Sequence, residues 1–336
     1  MKSLAFVTFI VTVLLSAGCA TRQAQPDWIV GESASYPSEQ NLVGRGQAAT
    51  QEEAKDHARA DLAKIFQVAV SVSSENIQKF KSAPVSAVSG RYEESSFRSI
   101  NTRTDQIIRG IQIVELWQDP TTKTFHVLAI LPRLQAAASL RQQINQLDED
   151  TKNNIEQAQK NSDLFLKIAA AQQAIQSQQE RAALQKSLQI VDVSGHGLEP
   201  HWNSAKLKTD LDELLKRVRI APQVAEDSPS GLQEMVAGAL AQAGFLTETG
   251  QNPDFVLQAR MSLTDLGLQD GWYWQRGNLE ITLSETANGR VRGTKRWVVK
   301  GNAADKETAI RRTMDQADKV LKLELGAAII GLANSP

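Results

Sequence analysis

The chain has 336 residues, a length that suggests two domains, and 41% hydrophobic with 22% charged residues is the make-up of an ordinary globular protein. Lys plus Arg number 37 against 38 Asp plus Glu, a balance that supplies no bulk field to recruit nucleic acid or anionic lipid. One cysteine excludes a disulfide within the monomer, so the cores must be large enough to do without one.

That cysteine, Cys19, closes an export-like segment. Met1, Lys2 and Ser3 form a short positive start, Leu4 to Leu15 an almost unbroken apolar run, and Ser16-Ala17-Gly18 places small residues before the thiol. The run is shorter than the roughly twenty residues a permanent span needs, and its flanks suit a cleaved signal over residues 1–18. The segment resembles the lipobox of bacterial lipoproteins, with Ser16 where Leu is usual. The resemblance implies that Cys19 becomes the first mature residue and carries acyl chains such as palmitate. Several chains anchor stably where one binds only marginally. It also implies, because Ala20 rather than Asp follows, placement in the outer membrane of a Gram-negative cell, facing the periplasm. An ordinary secretory signal with a stray cysteine is the competing reading.

Residues 19–40 are polar, with Pro26, Gly31 and Pro37 as breakers, and read as a lipidated tether from which Asp27-Trp28-Ile29-Val30 can dock on the first domain. Residues 41–132 read as an α+β domain. Asn41 to Gly46 is a short strand ending in Gly-Arg-Gly, and Thr50-Gln51-Glu52-Glu53 is a capping-box pattern that starts a helix at Gln51. Ala54, Ala58, Leu62, Ile65 and Phe66 share one helical face. Val68, Val70 and Val72 alternate with Ala69, Ser71 and Ser73, the pattern of a half-buried strand. A second extended stretch is expected over Phe97 to Arg109. Ile111 to Leu131 then reads as a hairpin turning at Asp119-Pro120-Thr121-Thr122.

Val43-Gly44-Arg45-Gly46, Glu53-Ala54 with Ala58, Ala60 and Leu62, Gly110 to Trp117, and Phe125-His126-Val127-Leu128-Ala129 resemble the Lpp-twenty family of bacterial lipoproteins, a domain also seen at the N-terminus of the flagellar H-ring protein FlgT. The resemblance covers about a third of the chain and carries fold, with no catalytic signature among its residues.

Between Arg133 and Ser194 there is neither Gly nor Pro, and helix formers dominate. Residues 133–187 are expected to be a helical connector, either one long helix or two broken near Leu147 to Lys152, with self-association into a homo-oligomer as the alternative use. From 188 to 336 a second α+β domain is expected. Its elements are a strand at Leu188 to Val193, a helix at Ser204 to Leu215, a strand at Val218 to Ala221 and a helix at Ser230 to Gln242. Strands follow at Phe255 to Leu263, Gly277 to Glu285 and Arg292 to Lys300, with a closing helix from Ala304 to Leu325. Gln233 to Gly244, Pro253 to Leu257, Leu279 to Thr282, Gly289 and Trp297 resemble the periplasmic domain of the penicillin-binding-protein activator LpoB, related in plan to the N-terminal domain of TolB and to CsgG. The fold class is therefore α+β: two sandwiches of helices on mostly antiparallel sheets, joined by a long helical connector.

No catalytic constellation emerges. His196, Glu199 and His201 lie in a Gly- and Pro-containing loop without the i, i+4 helical spacing of zinc sites, so no metal and no cofactor is expected. No phosphate-cradling loop or nucleophile elbow is present. The informative cluster is Trp272-Tyr273-Trp274-Gln275-Arg276 between Gly271 and Gly277, placed in the connection between two strands. Aromatics and Arg are what binding hot spots use, which makes Trp272, Tyr273, Trp274 and Arg276 the candidate partner-binding residues. In the other reading, Trp272 and Trp274 begin the next strand and pack into the core. The expectation is a non-enzymatic envelope lipoprotein held to the outer membrane by its lipid. It would bind envelope proteins and no nucleic acid; a peptidoglycan- or sugar-binding module is the alternative.

Overall fold

A computed structural model describes residues 24–80, 110–247 and 252–333, with side chains omitted at 67–80. Cys19, the signal segment and the stretch Phe97 to Arg109 lie outside the described residues. The described residues form an α+β protein with two sheets, one of three strands and one of five. They divide into two compact units, one drawn from residues 1–62 and 111–131 and the other from 63–110 and 132–336.

In the first unit, β1 (Asn41–Ala48), β2 (Gln112–Gln118) and β3 (Phe125–Pro132) lie in the order β1-β3-β2, with β2 and β3 antiparallel. Helix α1 (Gln51–Phe80) begins as the capping pattern requires, the Glu53 N–H donating to Thr50 Oγ1 at 3.3 Å. Gly44 and Gly46 lie inside β1 rather than ending it. A Cβ on Gly46 would sit 2.0 Å from the Ala54 carbonyl oxygen, and one on Gly44 2.5 Å from that of Ala58. The Gly-Arg-Gly motif thus lets the strand backbone lie directly on the small-residue face of the helix.

The tether ends earlier than residue 40. Trp28, in a short 3-10 turn (Asp27–Ile29), is 2% exposed and packs with Trp117 and Leu128. Its indole N–H donates to Glu115 Oε2, and Arg45 donates from Nε to the Trp28 carbonyl at 2.7 Å and from Nη2 to that of Gly31 at 2.6 Å. The expected strand at Val68 to Val72 is helix instead, part of α1. With no Gly or Pro between Gln51 and Phe80, propagation of a nucleated helix outweighs the small penalty of β-branched residues.

In the second unit, the expected connector is a helical hairpin, α2 (Arg133–Lys160) and α3 (Leu164–Val191). The break falls at Asn161 to Asp163, not near Leu147, because Asp163 caps α3 by accepting from the Phe165 and Leu166 N–H groups. Arg181 and Asp148 pair at 2.8 Å with only 4% and 9% of their side chains exposed, and Gln178 donates to Thr151 Oγ1 beside them. Of the strand expected at Leu188 to Val193, Leu188 to Val191 form the last turn of α3, Asp192 caps it, and Val193 lies in the following turn. Leu188 and Val191 are buried at helical spacing, and Arg133 Nη1 donates to the Ile190 and Val191 carbonyls at 2.9 Å. Phe165 and Ile168, at the start of α3, belong to the main core, so the hairpin is continuous with the following domain and not a spacer.

That domain adds α4 (Ser204–Leu215), β4 (Arg219–Val224), α5 (Leu232–Gln242), β5 (Leu246–Thr247), β6 (Phe255–Gln269), β7 (Trp272–Glu285), β8 (Val291–Ala303) and α6 (Lys306–Ala333). The sheet order is β5-β4-β6-β7-β8, with β4 parallel to β5 and β6 and the other pairs antiparallel. Alternation follows the pleat. Leu257, Ala259 and Met261 of β6, Leu279, Ile281 and Leu283 of β7, and Trp297 and Val299 of β8 are buried against the helices. The intervening residues face away from them. Gly277 and Gly301 bring α6 close, since a Cβ on either would approach Thr313 to 3.1 or 2.5 Å.

Candidate functional site

The aromatic cluster is not a loop. Asp270 and Gly271, with φ of 52° and 79°, make the two-residue turn in which both central residues have positive φ, and Trp272 already pairs with Gln269 as the first residue of β7. The Asp-Gly dipeptide between apolar runs was the sequence signal for this turn. A hairpin twist compatible with the flanking strands then decides which way each side chain points.

Trp274, Arg276 and Asn278 share the parity opposite to the buried Gln275, Gly277 and Leu279. They lie on the sheet face away from the core helices. Trp272 is 45% exposed at the strand's start and Trp274 is half-buried, so neither enters the core although both begin the strand. Tyr273 lies on the other face, paired with Leu268 and Ala303, near the Lys306–Asp265 ion pair. The four candidate residues therefore divide: Trp272, Trp274 and Arg276 stand together, and Tyr273 does not join them.

Register supplies neighbours that sequence reasoning missed. Across β6, β7 and β8 the rows are Gly267–Trp274–Asn302, Thr264–Arg276–Lys300 and Ser262–Asn278–Val298. These nine residues include no carboxylate and two cations directly opposite one another. Among the described residues neither Arg276 nor Lys300 has an ion pair. The next row is self-neutralising, with Glu280 bonded to Arg296 and Arg260 near Asp227 at 3.5 Å. Lys306 lowers the Asp265 pKa by hydrogen bonding, and Asp265 in turn raises that of Lys306; this pair is already satisfied.

Elsewhere, His196 and His201 are placed in the loop after α3, where His196 accepts from Gln185 through its carbonyl and the His201 ring meets Trp202. Among the described residues no group of three His, Cys, Asp or Glu is arranged to hold a metal, and no helix is long and apolar enough to cross a membrane. Trp117, the corresponding aromatic of the first unit, is 7% exposed and tilted against the His126 ring at 5.4 Å. It is core.

No curated protein matches the chain. Among solved structures, a secreted protein of Helicobacter pylori is similar at 13% identity and a TM-score of 0.41, with 86% of this chain and 97% of that one covered. A lipoprotein of Neisseria meningitidis is similar at 13% identity and a TM-score of 0.24, covering 35% of this chain and 99% of its own. A minor lipoprotein of Acinetobacter baumannii stands at 12% and 0.25, covering 34% and 90%. Likeness of this degree transfers no activity. The sequence also matches a family model, and the matched span starts at the Pro26 that precedes the buried Trp28 and stops at Leu131 in β3. Residues 26–131 match the family model of the LPP20 lipoprotein.

Proposed function

We propose that this protein is an outer-membrane lipoprotein, anchored through acylated Cys19 and facing the periplasm, that works without catalysis by contacting other proteins in cell-envelope assembly. The observation that carries the reading is the LPP20 lipoprotein domain lying directly behind a lipobox-like Cys19. Stable attachment then needs no membrane-spanning helix, because multiple acyl chains suffice. The resemblance of residues 188–336 to envelope-protein domains with no shared reaction supports contact, rather than turnover, as the mode of action.

The test is fractionation followed by capture. Wild-type protein should sediment with outer membrane after a salt wash and Cys19→Ala protein should become soluble in the periplasm. If the variant still sediments, the lipid anchor is wrong. Affinity isolation of the lipidated protein should recover defined envelope proteins.

A further inference from the structure

We propose that the face of β6, β7 and β8 turned away from the described helices binds a glycan strand whose attached peptides carry carboxylates, the chemistry that peptidoglycan presents in the periplasm. This inference rests on the compartment proposed above for its source of ligand, and on the sheet geometry alone for its site.

The first argument is charge. Arg276 and Lys300 are exposed and directly paired across β7 and β8, and like charges placed opposite one another destabilise a sheet. Their shared surroundings hold hydroxyl and amide groups, from Thr264, Ser262, Asn278 and Asn302, but no carboxylate to neutralise them. Natural sheets keep cations on edge strands to prevent unwanted pairing, which accounts for Lys300 on the edge strand β8. Arg276 is on β7, an interior strand, where that purpose does not apply. An external anion between the two would remove the repulsion and use the planar guanidinium in its preferred role toward carboxylates.

The second argument is the aromatic ladder. Trp274 stands next to Arg276 on the same strand face, about 6.7 Å along the strand, with exposed Trp272 the same distance beyond it. Opposite Trp274 on β6 is Gly267, which has no side chain to cover the indole. Trp272, 45% exposed, and the half-buried Trp274 offer indole surface that is apolar while an indole N–H can still donate a hydrogen bond. Sugar rings are matched to this surface, since one face carries C–H groups and the rim carries hydroxyls for Asn278, Asn302 and Thr264. The three rows are about 10 Å wide across three strands. An open sheet face accommodates a polymer lying across it rather than a small molecule enclosed in a pocket.

An anionic lipid surface is the competing ligand, but Asp270 occupies the hairpin turn beside Trp272 and would enter a membrane first. The test uses full-length protein in detergent and purified peptidoglycan sacculi. Co-sedimentation should be strong at low salt and weaken as salt rises. Trp274→Ala and the pair Arg276→Gln with Lys300→Gln should each lower affinity about tenfold or more. The melting temperature of the double Gln variant should be unchanged or raised, which distinguishes loss of a ligand contact from loss of fold. Sacculi whose carboxylates have been amidated should bind as weakly as the charge variant. The proposal is overturned if native sacculi do not bind, if the variants or the amidated sacculi bind as well as wild type, or if phosphatidylglycerol vesicles are bound in place of sacculi. Cell fractionation tests the compartment independently, so failure of the anchor and failure of the glycan site give different results.

Discussion

Arg292 of β8 donates to Asp163, the residue that caps α3, across 2.7 Å and 129 positions of sequence. The same guanidinium bonds Glu285 at the end of β7 and the Ala333 carbonyl at the end of α6. One side chain therefore ties the helical hairpin, the sheet and the last helix together within the second unit.

This hub has a pH signature. Burial opposes ionisation of Asp163, but bonds from Arg292 and from the Leu166 and Phe165 N–H groups outweigh it and hold the carboxyl below its ordinary 3.8. The folded state then binds the proton less readily than the unfolded chain. The stabilisation is complete above the unfolded value and lost as pH falls through the lower native one. Asp254, held down mainly by Arg219, acts in the same direction. Arg292→Ala should cost roughly 1.5–3 kcal/mol at neutral pH and make stability less steeply dependent on acid. Denaturant titrations of wild type and variant from neutral pH to below 4 will read both, and parallel curves would contradict the assignment.

Trp28 converts the stretch ahead of β1 into part of the first core. Trp28→Ala should destabilise that unit by about 3–5 kcal/mol, the usual range for a buried large aromatic. Trp28→Phe should cost less, leaving mainly the Glu115 carboxylate without its indole partner. Thermal unfolding with far-ultraviolet circular dichroism provides the comparison. Equal stability for Trp28→Ala would mean that the segment merely lies on the surface.

At Gly46 the expectation is steric. Alanine there would place its Cβ 2.0 Å from the Ala54 oxygen and 2.4 Å from the Ala58 nitrogen, both backbone atoms that cannot rotate away. Gly46→Ala should cost about 1–3 kcal/mol through separation of β1 from α1. Gly238, with open space around its Cβ position, is the control for substitution of a glycine by alanine.

Two tryptophans on adjacent strands separate surface from core. Trp297 is 9% exposed and donates its indole N–H to Glu324 at 2.8 Å, so Trp297→Ala should lose about 3–5 kcal/mol. Trp272, at 45% exposed, should tolerate the same change within about 0.5 kcal/mol. A comparable loss at both positions, measured by urea denaturation, would place Trp272 in the core and remove it from the recognition surface.

Local patterns were sufficient for many elements. Thr50-Gln51-Glu52-Glu53 marked the start of α1, the run to Asp119-Pro120-Thr121-Thr122 marked the β2–β3 hairpin, and the α+β class followed from strands interleaved with amphipathic helices. The resemblance to the Lpp-twenty family rested on motifs such as Val43-Gly44-Arg45-Gly46 with Ala54 and Ala58, residues that here permit close approach of β1 and α1. Where an apolar run suits two periods, pattern was not sufficient. Val68 to Val72 alternates as a strand does and Leu188 to Val193 is rich in β-branched residues, yet Val68 to Val72 and Leu188 to Val191 continue helices already nucleated upstream.

The candidate surface shows the same division more sharply. Sequence alone marked Trp272, Tyr273, Trp274 and Arg276 as a candidate binding cluster, with core packing as the other reading, and placed Cys19 at a lipobox-like junction. Only the tertiary structure decided that Trp274 and Arg276 face away from the helices, that Tyr273 points elsewhere, and that Lys300 stands opposite Arg276. The reason is physical: side-chain direction in a sheet depends on register, and a shift of one residue would reverse every face. Register here is set by the Asp270-Gly271 turn together with the packing of α6 on Gly277 and Gly301, contacts between residues that are distant in sequence.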